Sequence, residues 1–295
     1  MSALNSSQQL ALAGLFASSV LRELAAKGRS PAFARLLKES PLLDTHQVPN
    51  VRSVFDNAFS ILKKTQNRNE YVYKSAIAHK LFLGKHSLNT ASMLTEFRVG
   101  KSKADAVVLN GTSTVYEIKS ERDNLDRLKN QIDSYRTAFA KINIITSENH
   151  LRQVQNIIPS SVGILILSNR NQISTLREST EDFHLINTNT ICSSVHTHEA
   201  IKILSTLGID VPEMPNTLIH SHIQKIFSNL SGIDVHNAMV KVLRETRTLL
   251  HLKDLLPNFP KSLQASLVSI QLRNSDMARL VKVMNTTTED ALDWG

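Results

Sequence analysis

Cysteine occurs once, at Cys192, so an intrachain disulfide and a thiolate zinc site are both excluded. A secreted disulfide scaffold is excluded with them, and a reducing cytoplasm fits. Tryptophan also occurs once, at Trp294, and aromatic residues make up only 5% of the chain. The nine glycines are scattered and none belongs to a G-x-x-x-x-G-K-[ST] run, so nothing points to an ATPase or a dinucleotide enzyme. No charge-free apolar stretch approaches the length of a membrane span. The opening MSALNSSQQLALAGLF has no basic residue ahead of its apolar run, which argues against a signal peptide. The expectation is a soluble cytoplasmic protein with no membrane partner. Acidic residues are the minority charge, 26 against 34 Lys and Arg, and the formal net charge of +8 favours an anionic partner.

Of 295 residues, 41% are hydrophobic, enough for one large domain or two modest ones. Apolar spacing of three and four predicts helices over 7–27, 31–39 and 51–64, with Ser30 and Pro31 marking a helix start and PLLDTHQVPN a connection. A further helix is expected over 70–82. Strands are predicted near 94–99, 104–109, 114–119, 142–147 and 162–168, with helices near 124–139 and 171–178 and a short edge strand in DFHLIN. The order predicts an α/β fold: a central mixed sheet of four to five strands flanked by helices. From 199 to 285 the pattern is helical again and rich in Lys and Arg, and the polar, acidic NTTTEDALDWG end is expected to fray. The expected organisation is a helical N-terminal extension (1–65), a core (66–190) and a helical accessory region (191–295).

The chemistry concentrates between Glu96 and His150. Asp105 sits in the apolar run ADAVVL, where a carboxylate needs a cation or hydrogen bonds. Glu117 and Lys119 share one side of the next strand, because side chains repeat with period two. Two carboxylates and an ammonium at strand ends can hold a divalent cation and activate water. Asp105 and Glu117 would be the ligands, with the backbone carbonyl of Ile118 as a third. The same spacing also fits a strand-end Glu117–Lys119 ion pair with Asp105 capping a turn. Spacing leaves both open. The pairs His196/His198 and His220/His222 lack the partners of a zinc motif.

The run ADAVVLNGTSTVYEIKSERDNLDRLKNQIDSY resembles the core of the PD-(D/E)XK nuclease superfamily, and in particular bacterial and phage-borne proteins sharing the Y-E-I-K-S text. The resemblance covers about 70–170 and implies a restriction-endonuclease-like sheet. It implies Asp105 as first acid, Glu117 as second and Lys119 as the lysine, with Gln131 and Tyr135 matching a Q-x-x-x-Y helix. Glu70 is the candidate for an additional acid, ahead of Glu96. Ala104 stands where the superfamily proline would be, and Lys103 where related sequences carry arginine. Lys103, Ser120 and Lys129 are candidates for contacts with nucleic acid. The implied activity is Mg²⁺- or Mn²⁺-dependent hydrolysis of DNA phosphodiesters, with a role in phage defence or mobile-element biology. The alternative is a catalytically inactive DNA-binding or protein-interaction subunit on the same fold. DNA, a phage or defence-system protein and a second copy of the chain are the candidate partners.

Overall fold

The computed structural model describes residues 4–45 and 48–295, so the expected connection from Pro41 to Asn50 lies partly outside the described residues. The chain divides into two compact units, one formed by Met1–His79 with His251–Gly295, the other by Lys80–Leu250.

The first unit is helical. Its principal helices are Ser6–Gly14, Ser18–Lys27, Pro31–Glu39, Val51–Leu62, Lys261–Ser269 and Asn274–Val283. Ser30 Oγ accepts the Phe33 amide, and Pro31, which has no N–H to satisfy, opens the helix behind it. Phe33 and Phe55 are wholly buried, and Phe16 stacks on Tyr71 at 4.3 Å between ring centres. The two chain segments are stitched together: the Val51 amide donates to the Thr286 carbonyl at 3.0 Å, and Arg279 Nη1 donates to the Ala25 carbonyl at 2.6 Å. The C-terminal stretch expected to fray instead forms the helix Thr288–Leu292, capped by Thr287, and Trp294 lies 5.8 Å from the Phe33 ring. The indole is half-buried there, and its contact with Phe33 anchors the polar end.

The second unit holds a six-stranded mixed sheet in sequential order: β1 (Ser92–Val99), β2 (Ser102–Leu109), β3 (Ser113–Lys119), β4 (Lys141–Thr146), β5 (Gly163–Leu167) and β6 (Ile173–Arg177). The first three are antiparallel, β3–β4 and β4–β5 are parallel, and β6 returns antiparallel. Gly100 (φ 56°) and Gly111 (φ 102°) make the two left-handed turns that joining β1, β2 and β3 requires. Parallel neighbours need crossovers, supplied by α1 (Leu128–Tyr135) and α2 (Leu151–Ile157). β5 is buried at every position, as a parallel strand covered on both faces should be. Helices α3 (Thr188–Ser194), α4 (Thr197–Thr206), α5 (Asn216–Phe227) and α6 (Gly232–Thr246) complete the unit and share one apolar cluster with the sheet.

This is a mixed α/β sheet flanked by helices, with a sixth strand where a helix was expected over 171–178. A tight reversal places it: the Ser168 amide donates to the Gln172 carbonyl at 2.8 Å, with Asn171 in the left-handed region. β6 exposes Ser174, Thr175 and Leu176, and its polar sequence hides the alternation of an edge strand. DFHLIN forms no strand. No helix among the described residues is long and apolar enough to cross a membrane.

Candidate functional site

Asp105 and Glu117 meet where β2 and β3 part. The β2–β3 ladder runs from Leu109↔Ser113 to Ala106↔Tyr116 and stops. Beyond that point the Asp105 side chain replaces the missing backbone acceptor: its Oδ2 takes the Ile118 N–H at 2.7 Å. The strand pattern continues on β3 and turns both Glu117 and Lys119 inward, with side chains only 2% and 9% exposed. Lys119 Nζ donates to Glu117 Oε1 at 2.8 Å and to Gln131 Oε1 at 2.9 Å. Gln131 Nε2 donates to the same Glu117 oxygen at 2.5 Å.

Gln131 and Tyr135 lie four residues apart on α1, so one helix face delivers both. The Tyr135 hydroxyl has one proton to give and stands 2.7 Å from Glu117 Oε2 and 2.9 Å from the Lys103 carbonyl. Burial, and then the negative charge of Glu117, push the phenol well above its usual range, so it stays a donor. Both oxygens of Glu117 are therefore held by side chains of the same chain. A buried ion pair is tolerated when its remaining lone pairs and protons are satisfied, and this one is a closed four-residue network.

Other expected site residues have separate roles. Ser120 is buried and donates from both N and Oγ to Asp123 Oδ2, each at 2.7 Å, closing the turn after β3. Lys103 is half exposed on β2 and paired with Glu96, itself in the left-handed region at φ 57°. Lys129 is exposed on the first turn of α1. Glu70 belongs to the first unit, in the first turn of its helix, where it pairs with Lys74 at 2.7 Å. Ile118, whose backbone carbonyl was the expected third ligand, is a buried residue of β3. Among the described residues, neither unit by itself gathers three metal-ligating side chains.

Two buried polar clusters escaped the sequence. Glu199 is 1% exposed and takes Arg247 through two bonds of 2.7 Å, while Arg247 also lies 5.2 Å from the Phe97 ring centre. Ser113 Oγ sits 2.7 Å from His236 Nε2 and accepts the Ala140 amide at 3.0 Å. A histidine set among Val235, Met239 and Val240 on an apolar helix stripe was the available signal.

Residues 63–254 match the family described as Bacteriophage P4 protein cII, a span that contains the whole second unit. Protein cII of Enterobacteria phage P4 is 28% identical over 114 residues, 38% of this chain. The aligned part is 40% of that relative's length, about two fifths. A protein of unknown function from Silicibacter pomeroyi is similar over 40% of this chain and 81% of its own, at 16% identity and a TM-score of 0.28.

The family match corrects the expected membership of the PD-(D/E)XK superfamily. The expectation of a DNA-hydrolysing, Mg²⁺- or Mn²⁺-dependent enzyme, with its nuclease and hydrolase labels, falls with it. The site gives a matching physical picture: both Glu117 oxygens already accept hydrogen bonds from Lys119, Gln131 and Tyr135, so its charge is balanced within the chain. The matched span covers more than half of the sequence, and the chain belongs to the Bacteriophage P4 protein cII family.

Proposed function

We propose that this chain is a non-catalytic DNA-binding protein, working in the cytoplasm on a restriction-endonuclease-like sheet that is used without turnover. Three antiparallel strands followed by two parallel crossovers support that fold assignment. The observation that carries the function is the placement of charge. The acidic group at the centre of the sheet is closed into its own hydrogen bonds, while cations are left outside. Arg98, Lys101 and Lys103 are exposed around the β1–β2 turn, and Arg127 and Lys129 are exposed at the start of α1. The turn is pinned to the last turn of that helix, because Ser102 Oγ bonds Ser134 Oγ at 3.0 Å and Tyr135 reaches the Lys103 carbonyl. A rigid basic surface on a chain of net charge +8 neutralises backbone phosphates and releases their counterions. Lys103 and Lys129 are the assigned phosphate contacts, whereas Ser120 supports the turn between them and β3.

Fluorescence anisotropy of labelled DNA tests this. Affinity is expected to fall steeply between about 50 and 200 mM salt, with a log–log slope of about −0.9 for each phosphate neutralised. Lys103→Ala and Lys129→Ala should each lower that slope by about one, with folding intact. Absence of binding at low salt would overturn the proposal. So would Mg²⁺-dependent cleavage abolished by Lys119→Ala.

A further inference from the structure

Beyond the C-terminal ends of the parallel strands β3 and β4 lies an open pocket of about 780 Å³. Crevices at this end of parallel strands are where α/β sheets most often take ligands, and the volume is in the range of small-ligand sites. The turn after β3 and the first half of α1 make one wall. The turn after β4, together with α2, makes the other.

The chemistry of the walls is selective. Asp123 and Asp126 stand against the single ammonium of Lys129, which disfavours a multiply charged phosphate inside the pocket. Asp123 is occupied by Ser120, and Asp126 by the Asn124 amide at 2.6 Å. The second wall is left with groups that read heterocycle edges. The Asn156 side chain is exposed on the pocket wall. His150 Nδ1 lies 3.4 Å from Gln153 Oε1, while its Nε2 is buried with no partner. A buried ring nitrogen without a partner is a group waiting for one. Leu125 and Ile157 add apolar surface on which a flat ring can lie.

We infer that this pocket receives one unstacked nucleobase of a DNA strand, its edge bonded by His150 and Asn156 and its face resting on Leu125 and Ile157. Carboxamides pair with base edges through two hydrogen bonds, and unstacked bases are read by such edges together with a packed face. The inference rests on the DNA-binding proposal above and adds the part of the nucleic acid that the chain recognises. The exposed cations hold the backbone, and the pocket distinguishes a strand with a free base from an intact duplex.

The test uses the full chain and a single-stranded oligonucleotide carrying one 2-aminopurine, whose fluorescence is quenched while stacked. Binding should raise the fluorescence several-fold. Asn156→Leu, which removes a proposed edge contact, and Gln153→Leu, which removes the neighbour that orients the His150 ring, should each weaken single-strand binding about tenfold and leave duplex binding unchanged. Both are surface positions, so circular dichroism should report native folding. Binding without a fluorescence rise, and with both variants unaffected, would overturn the pocket and leave the DNA-binding proposal standing. Absence of binding to any DNA would sink the earlier proposal instead, and the pocket with it.

Discussion

Lys119→Ala should be among the most destabilising single changes in the second unit, and the structure says how that loss can be recovered. Removing the ammonium leaves Glu117 charged, 2% exposed and held only by Gln131 and Tyr135. Uncompensated buried carboxylates typically cost about 3–5 kcal/mol. Replacing both partners by apolar groups, as in Glu117→Leu with Lys119→Met, removes the charge and its desolvation together. Tyr135 keeps the Lys103 carbonyl and the half-buried Gln131 can reach water, so the double variant should lie within about 1–2 kcal/mol of the parent. Glu117→Leu and Lys119→Met alone should each strand one buried charge at about 3 kcal/mol or more, so the cycle should show coupling of at least about 4 kcal/mol. Urea denaturation followed by circular dichroism at neutral pH can resolve this, since about 3 kcal/mol moves the midpoint by more than about 1 M. An unchanged Lys119→Ala midpoint, or a double variant as weak as the summed singles, would refute a structural role for the network. DNA affinity should survive in the double variant, because the proposed phosphate contacts lie outside the network.

Three further outcomes follow from the second unit. Glu199→Ala should cost about 3 kcal/mol by stranding Arg247, seen as a fall of several degrees in melting temperature. An unchanged melting curve would show the pair to be idle. For His236, burial holds the imidazole below its ordinary value, so the folded state resists its proton. Its contribution is fully present above the unfolded pKa near 6.5 and is lost as pH falls below that value toward the folded one. Measured from pH about 7.5 to 5.5, stability should decline less steeply in His236→Gln than in the parent; equal slopes would remove His236 from the account. Gly163→Ala should destabilise by about 1–3 kcal/mol, since a methyl there would meet the Asn143 side chain and stand 2.9 Å from the Ser179 amide. Wild-type stability of that variant would contradict the close approach of β4 and β5.

The sheet was legible where local signals agreed. ADAVVL and STVYEIK alternate or run apolar across a Gly111 turn, and KINIIT and GILIL are short enough for buried strands. Period two also placed Glu117 beside Lys119, and helix spacing placed Gln131 beside Tyr135. Whether the carboxylates faced a cation or their own chain depended on a distance that no spacing encodes, the 2.8 Å between Lys119 and Glu117. β6 was lost because an exposed edge strand needs no apolar face. The docking of Trp294 on Phe33 was lost because partners 261 positions apart leave no local trace. The resemblance over the central hairpin misled about both family and chemistry, since an acid-x-Lys triplet serves equally as a buried ion pair.

The discontinuous helical unit has a consequence for how the chain is made. Its two pieces, Met1–His79 and His251–Gly295, are separated by the entire sheet-bearing segment. During synthesis the first piece emerges without the Thr286 and Arg279 contacts that finish it, while Lys80–Leu250 is complete before its partner piece exists. Domains tend to fold as units while the ribosome extends the chain, so the inserted sheet can form first. Once folded, it is no longer a long flexible loop between the two helical pieces, and the entropy lost in bringing those pieces together changes accordingly. Damage to the sheet would then appear twice, as its own instability and as slow completion of a helical unit that the mutation never touched.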